Sequence, residues 1–130
     1  MKVNFDAAKP IYEQIIEEIK RMLVRGELNP GDKLPSQRDM ARYIEVNPNT
    51  IQRAYREMEL LNLIITKRGK GTFVKEDDSM VITIKNDMAR DAASKFVTEM
   101  KSLGYTNQEI VEYIKGEVEK KKELKEANDE

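Results

Sequence analysis

A mainly α-helical fold with one small β-hairpin is predicted by three features of these 130 residues. Apolar residues recur at helical spacing near the start. Two N-capped helices then follow each other within a few residues, and a basic, glycine-bearing segment separates two short β-prone runs.

Ile11, Tyr12, Ile15, Ile16, Ile19, Met22 and Leu23 follow Pro10 at helical spacing, so a first amphipathic helix is expected from Pro10 to about Arg25, stopped by Gly26. Glu27 to Pro35, with its Pro-Gly pair, reads as a structured loop. Ser36 with Asp39 three residues on is a capping-box pattern, and it opens a short helix to about Tyr43 or Ile44 with Met40, Ala41 and Ile44 inward. Asn47 as cap and Pro48 at the first helical position open a third helix, whose apolar stripe is Ile51, Tyr55, Met58 and Leu61. Asn62 takes left-handed backbone readily and ends it. Leu63 to Thr66 and Thr72 to Val74 then read as strands joined by Lys67-Arg68-Gly69-Lys70-Gly71. This order, two closely spaced helices and a basic hairpin, is a winged helix-turn-helix.

Residues 77–86 read as a linker, with Met80 to Ile84 extended. Asp87 is expected to cap a helix bearing Ala89, Ala93, Phe96, Met100 and Leu103, ended by Gly104. Thr106 with Glu109 is a second capping box, opening a helix with Ile110, Val111, Ile114 and Val118 on one side. The expected organisation is thus a winged domain at 1–76, a linker at 77–86, a two-helix appendage at 87–119 and a charged, fraying tail at 120–130. Two short helices after a linker cannot bury their apolar faces alone, so pairing with a second copy is expected, through Phe96, Met100, Leu103, Ile110 and Ile114.

Composition narrows the chemistry. The chain contains neither His nor Cys, which removes an imidazole base, a thiolate nucleophile and the ordinary zinc ligands. No phosphate loop or acidic metal spacing appears, so no enzyme activity, metal or cofactor is expected. Leu60 to Ile65, the longest apolar run, is broken by Asn62 and far shorter than the ~20 residues that span a bilayer. No membrane partner is expected. Met1 to Phe5 lacks the layout of a secretory signal, which points to the cytoplasm.

Net charge is −1, but it is unevenly placed. Met1 to Glu76 holds 14 Lys and Arg against 11 Asp and Glu, a net of +3; Asp77 to Glu130 holds 9 against 13, a net of −4. Within the basic region, Asn49, Gln52, Arg53 and Arg56 share one face of the third helix, with Thr50 beside them and no acid among them. Amide and guanidinium groups suit base edges, and Thr suits a phosphate or a thymine methyl. Any surface helix is polar outside, so this face gains its meaning from its setting after a helix-turn-helix and before a basic hairpin. Arg38, near the start of the second helix, is placed for backbone phosphate, and Lys67, Arg68, Gly69 and Lys70 for a groove edge. Double-stranded DNA is the expected partner.

Gly31-Asp32-Lys33-Leu34-Pro35-Ser36-Gln37-Arg38, continued by Ala41, Asn49-Thr50-Ile51, Ala54-Tyr55 and Gly69-Lys70-Gly71-Thr72-Phe73-Val74, resembles the GntR family of bacterial regulators. Pro10 to Ile15 is similar to that family's first helix. The resemblance covers roughly Pro10 to Val74 and implies DNA contacts at Arg38, Asn49, Thr50, Gln52, Arg68 and Gly69; Arg53 comes from helix geometry. Many members carry an arginine where this chain has Pro48 and a glycine where it has Asn62, so the operator sequence is not carried over. The 54 residues after Glu76 are too few for the larger appended domains of most subfamilies and look like the YtrA-like subfamily. For that subfamily the resemblance implies dimerisation through the appendage and repression, often of transporter operons. Two other readings stay open at this point. One is a protein-interaction module using the third helix. The other is an effector-responsive regulator with a small-molecule pocket near the appendage, lined by Tyr105, Tyr113, Phe96 and Met100.

Overall fold

The structure is a computed structural model and describes Met1 and residues 3–129. Its elements in chain order are α1 (Ile11–Arg25), α2 (Gln37–Tyr43), α3 (Pro48–Leu60), β1 (Ile64–Lys67), β2 (Gly71–Val74), α4 (Asp78–Ser102) and α5 (Asn107–Asp129). The chain divides into two compact units, Met1–Asn86 and Asp87–Glu130, with the division falling inside α4.

Local chemistry explains the boundaries of the first unit. Pro10 precedes α1, and Gly26 closes it in left-handed backbone at φ 77°, its N–H bonding to the Leu23 carbonyl. At α2 the Ser36 Oγ accepts from the Asp39 N–H at 3.1 Å. The Asp39 carboxylate pairs with Arg42 at 3.6 Å. Asn47 Oδ1 accepts from the Asn49 N–H at 2.8 Å and Pro48 occupies the first turn of α3. Asn62 takes φ 60° after α3, left-handed backbone that glycine adopts freely and asparagine more readily than most residues.

α3 is the hub of this unit, packing on α1, α2 and β1. Ile15, Ile19, Leu23, Met40, Ile51, Ala54, Tyr55, Met58, Ile64 and Val74 form the buried core, and no polar or charged side chain is buried among the described residues. The hairpin is antiparallel, with Ile64 opposite Val74 and Lys67 opposite Gly71. A third segment joins it. Leu34 N–H donates to the Thr72 carbonyl and Val74 N–H to that of Asp32, both at 2.8 Å, with a bridge from Lys33 to Phe73. The segment read as a loop therefore shields one edge of β2.

Two expectations are corrected. Residues 77–86 are not a linker with an extended stretch at 80–84, because α4 begins at Asp78 and runs through them; Asp87 is an internal residue paired with Arg90 at 3.8 Å and not a cap. The cap is Asp77, whose Oδ1 accepts from the Ser79 N–H at 3.0 Å and Oγ at 2.6 Å. The β-branched run Val81-Ile82-Thr83-Ile84 costs only a few tenths of a kcal/mol per residue in a helix, less than capping and the burial of Ile84 return. α5 continues as helix through the charged residues 120–129. Glu, Lys, Leu and Ala propagate helix well, and no breaker occurs there.

In the second unit Gly104 takes φ 90° between the helices. Thr106 and Glu109 close the expected capping box: Thr106 N–H donates to Glu109 Oε1 at 2.9 Å and Glu109 N–H to Thr106 Oγ1 at 3.2 Å. Hydrogen bonding of the charged carboxylate by the Thr106 backbone N–H, and secondarily by its hydroxyl, holds the Glu109 pKa below its ordinary value. Among the described residues, α4 and α5 do not pack along each other.

Candidate nucleic-acid interface

Asn49, Gln52, Arg53 and Arg56 are all exposed on α3, and Thr50 is half-buried beside them. The opposite side of the helix carries the buried Ile51, Ala54, Tyr55 and Met58, which orients the polar face outward; Leu61, expected on that stripe, is instead 53% exposed, because the helix ends there at its C-cap. The first turn of α3 has no acidic residue. Tyr55, a residue only 1% exposed, donates from its Oη to the Pro35 carbonyl at 2.7 Å and ties α3 to the entrance of α2. Arg38 is exposed in the first turn of α2.

Lys67, Arg68, Gly69 and Lys70 are exposed at the hairpin tip, where Lys70 N–H closes the turn onto the Lys67 carbonyl at 2.9 Å and Gly69 takes φ 77°. Lys67 Nζ lies 4.8 Å from the centre of the Phe73 ring, which steadies it without neutralising it. Gly71, at φ 119°, admits Lys33: a Cβ there would stand 2.8 Å from Lys33 Cε.

Among the described residues, ion pairing separates the arginines of this face from the arginines elsewhere. Arg21, Arg25, Arg42, Arg90 and Lys120 each pair with a carboxylate. Among the described residues none of Arg38, Arg53, Arg56, Lys67, Arg68 or Lys70 does. Charges left unpaired on the surface remain available to a polyanion.

Sequence reasoning counted Lys33 only as charge and missed its place against the hairpin, which depends on the pairing of its segment with β2. It also placed Tyr12 only among the helically spaced residues of the first helix. Tyr12 is half-buried and meets Arg53, whose guanidinium carbon lies 3.9 Å from the centre of the ring. Of the residues expected to mediate dimerisation, Met100 and Ile110 are buried near the bend, Phe96 is half-buried, and Leu103 and Ile114 are exposed together with Val111 and Val118. Tyr105 and Tyr113 stack edge to face at 6.0 Å. The open depression they share is lined further by Thr106, Gln108, Glu109 and Glu112, and Phe96 and Met100 take no part in it.

The family model described as bacterial regulatory proteins, gntR family, matches residues 11–74. The chain is 50% identical over 115 residues to the uncharacterized HTH-type transcriptional regulator YhcF of Bacillus subtilis (strain 168), covering 88% of this chain and 95% of that protein. It is 36% identical over 116 residues to the HTH-type transcriptional repressor YtrA of the same organism, covering 88% of this chain and 89% of that one. A solved GntR family transcriptional regulator from Listeria monocytogenes matches with a TM-score of 0.80 at 42% identity, over 86% of this chain and 98% of that chain. The winged unit, its acid-free face and these near full-length matches agree: the chain belongs to the gntR family of bacterial regulatory proteins, DNA-binding transcription regulators and not enzymes.

Proposed function

We propose that this protein is a repressor that binds a pseudo-palindromic operator as a homodimer in the cytoplasm, of the kind that controls a transporter operon. One observation carries the DNA-reading assignment: the unpaired cations of α2, α3 and the hairpin surround an α3 face that contains no acid. In this reading Asn49, Gln52, Arg53 and Arg56 address base edges in the major groove, Thr50 and Arg38 hold phosphates, and Lys67, Arg68, Gly69 and Lys70 reach the adjoining groove. The dimer is supported by the exposed apolar residues Leu103, Val111, Ile114 and Val118, and by two long helices that leave each other unpacked. Such helices gain little stability in water without a partner surface. A two-fold dimer sets its recognition helices about one helical turn, ~34 Å, apart.

Selection of the purified chain against random duplex DNA, followed by binding of the winning site at two salt concentrations, tests this. Enrichment of a two-fold symmetric site with steeply salt-dependent affinity is expected. Arg53→Ala should cost about 1–3 kcal/mol and relax preference at one position in each half-site. Arg68→Ala should weaken all sequences about equally and lower the salt slope by about one. A site-free selection with salt-insensitive binding would instead assign α3 to a protein partner.

A further inference from the structure

α1 and α3 pack against each other, and Arg53 and Tyr12 meet where one helix crosses the other. The Arg53 guanidinium lies over the Tyr12 ring, Cζ to centroid 3.9 Å, and donates from Nη2 to the Tyr12 hydroxyl at 3.3 Å. That hydroxyl donates in turn to Glu13 Oε1 at 3.2 Å. A chain of three side chains therefore runs from the second turn of α3 to the first turn of α1, fixing a residue on the reading face from outside the helix-turn-helix.

The choice of partner matters chemically. A carboxylate would hold Arg53 equally well but would cancel its charge toward DNA. An aromatic face attracts the guanidinium while leaving it positive, and one bond to the hydroxyl uses one of five N–H donors. The other four remain for a ligand. A free arginine must lose its rotamer freedom on binding, whereas one already stacked has lost it in the unbound protein.

We propose that Tyr12 is a positioning residue for operator specificity: it holds the Arg53 guanidinium in the pose from which Arg53 reads a base edge. This rests on the reading of α3 as the helix that enters the major groove. Glu13 orients the Tyr12 hydroxyl as an acceptor toward Arg53 by taking its proton in a hydrogen bond.

The test is a double-mutant cycle on the full chain, using the operator recovered by selection and its single-base-pair variants. Tyr12→Leu, Tyr12→Phe, Arg53→Ala and the Leu-Ala double variant are compared, each checked for unchanged thermal unfolding. Tyr12→Leu should weaken operator binding about three- to tenfold. Its loss of discrimination should fall on the same base pair as that of Arg53→Ala, and it should cost nothing further once Arg53 is alanine. Tyr12→Phe, which keeps the ring and the packing, should retain most of the preference, and it carries the test if the leucine variant unfolds. A Tyr12→Leu loss that is uniform over all sequences, or that persists in the Arg53→Ala background, would overturn the proposal and make Tyr12 a direct backbone contact. If Arg53→Ala by itself leaves discrimination untouched, the base-reading role of Arg53 fails, and the positioning role falls with it; that outcome is visible without any Tyr12 variant.

Discussion

At the residue scale, the same polar atoms serve structure or recognition according to what surrounds them. Tyr55 is the structural case. Burial without a charged neighbour pushes its pKa up to about 12 from 10.0, and its hydroxyl donates to Pro35. The folded state thus holds the proton more tightly than the unfolded chain. Its contribution is complete below pH 10.0 and is lost as pH rises through about 12. Tyr55→Phe should cost about 1–2 kcal/mol at neutral pH, measured as a lower urea midpoint, and the gap between variant and parent should narrow between those two pH values. Arg53 is the case proposed for recognition: its place on the polar face of α3 follows from helical spacing, but its contact with Tyr12 joins residues 41 apart and has no local signal.

Elements are decided by short-range chemistry where caps are strong and by context where they are weak. The limits of α1, α2 and α3 follow from Gly26, Ser36, Asn47 and Pro48, all readable within a few residues. The turn between α2 and α3 holds one feature that the reading did not mark. Glu45 takes φ 53°, and Val46 N–H bonds back to the Ala41 carbonyl at 3.0 Å. Left-handed backbone costs an L-residue roughly 1–2 kcal/mol, and glycine returns part of that through its own unfolded-state entropy. Glu45→Gly should therefore raise stability by about 0.5–1 kcal/mol, seen as a higher thermal midpoint with operator preference unchanged. The start of α4 misled for the opposite reason. A β-branched run suggests strand, yet among the described residues it pairs with none, and Asp77 supplies the cap that starts a helix.

For the whole molecule, the decisive quantity is the apolar surface that one chain leaves uncovered. The winged unit closes its own core, whereas Val111, Ile114 and Val118 stand 49%, 40% and 59% exposed on α5. Isolated exposed apolar residues are common, but three at helical spacing on an unpacked helix form a face. If the proposed dimer forms through this face, Ile114→Glu should shift the protein to monomer in sedimentation velocity while the winged unit keeps its thermal transition. Operator affinity should fall about a hundredfold as the two half-sites cease to be bound together. A variant that remains dimeric would move the interface off this face.

What the sequence determined by itself was local: the limits of α1, α2 and α3 and the start of α5, the inward Ile51, Tyr55 and Met58 of α3 and hence its outward polar face, the hairpin glycines, and the ordered residues that carry the family resemblance. Each depends on spacing within one element or on a cap a few residues away. Tertiary structure alone decided that residues 31–34 shield β2, that Lys33 lies against Gly71, that Tyr12 holds Arg53, and that the segment after Asp77 continues as helix. The first three join distant parts of the chain. The fourth turns on a balance of a few tenths of a kcal/mol per residue, which a single cap and one buried isoleucine are enough to tip.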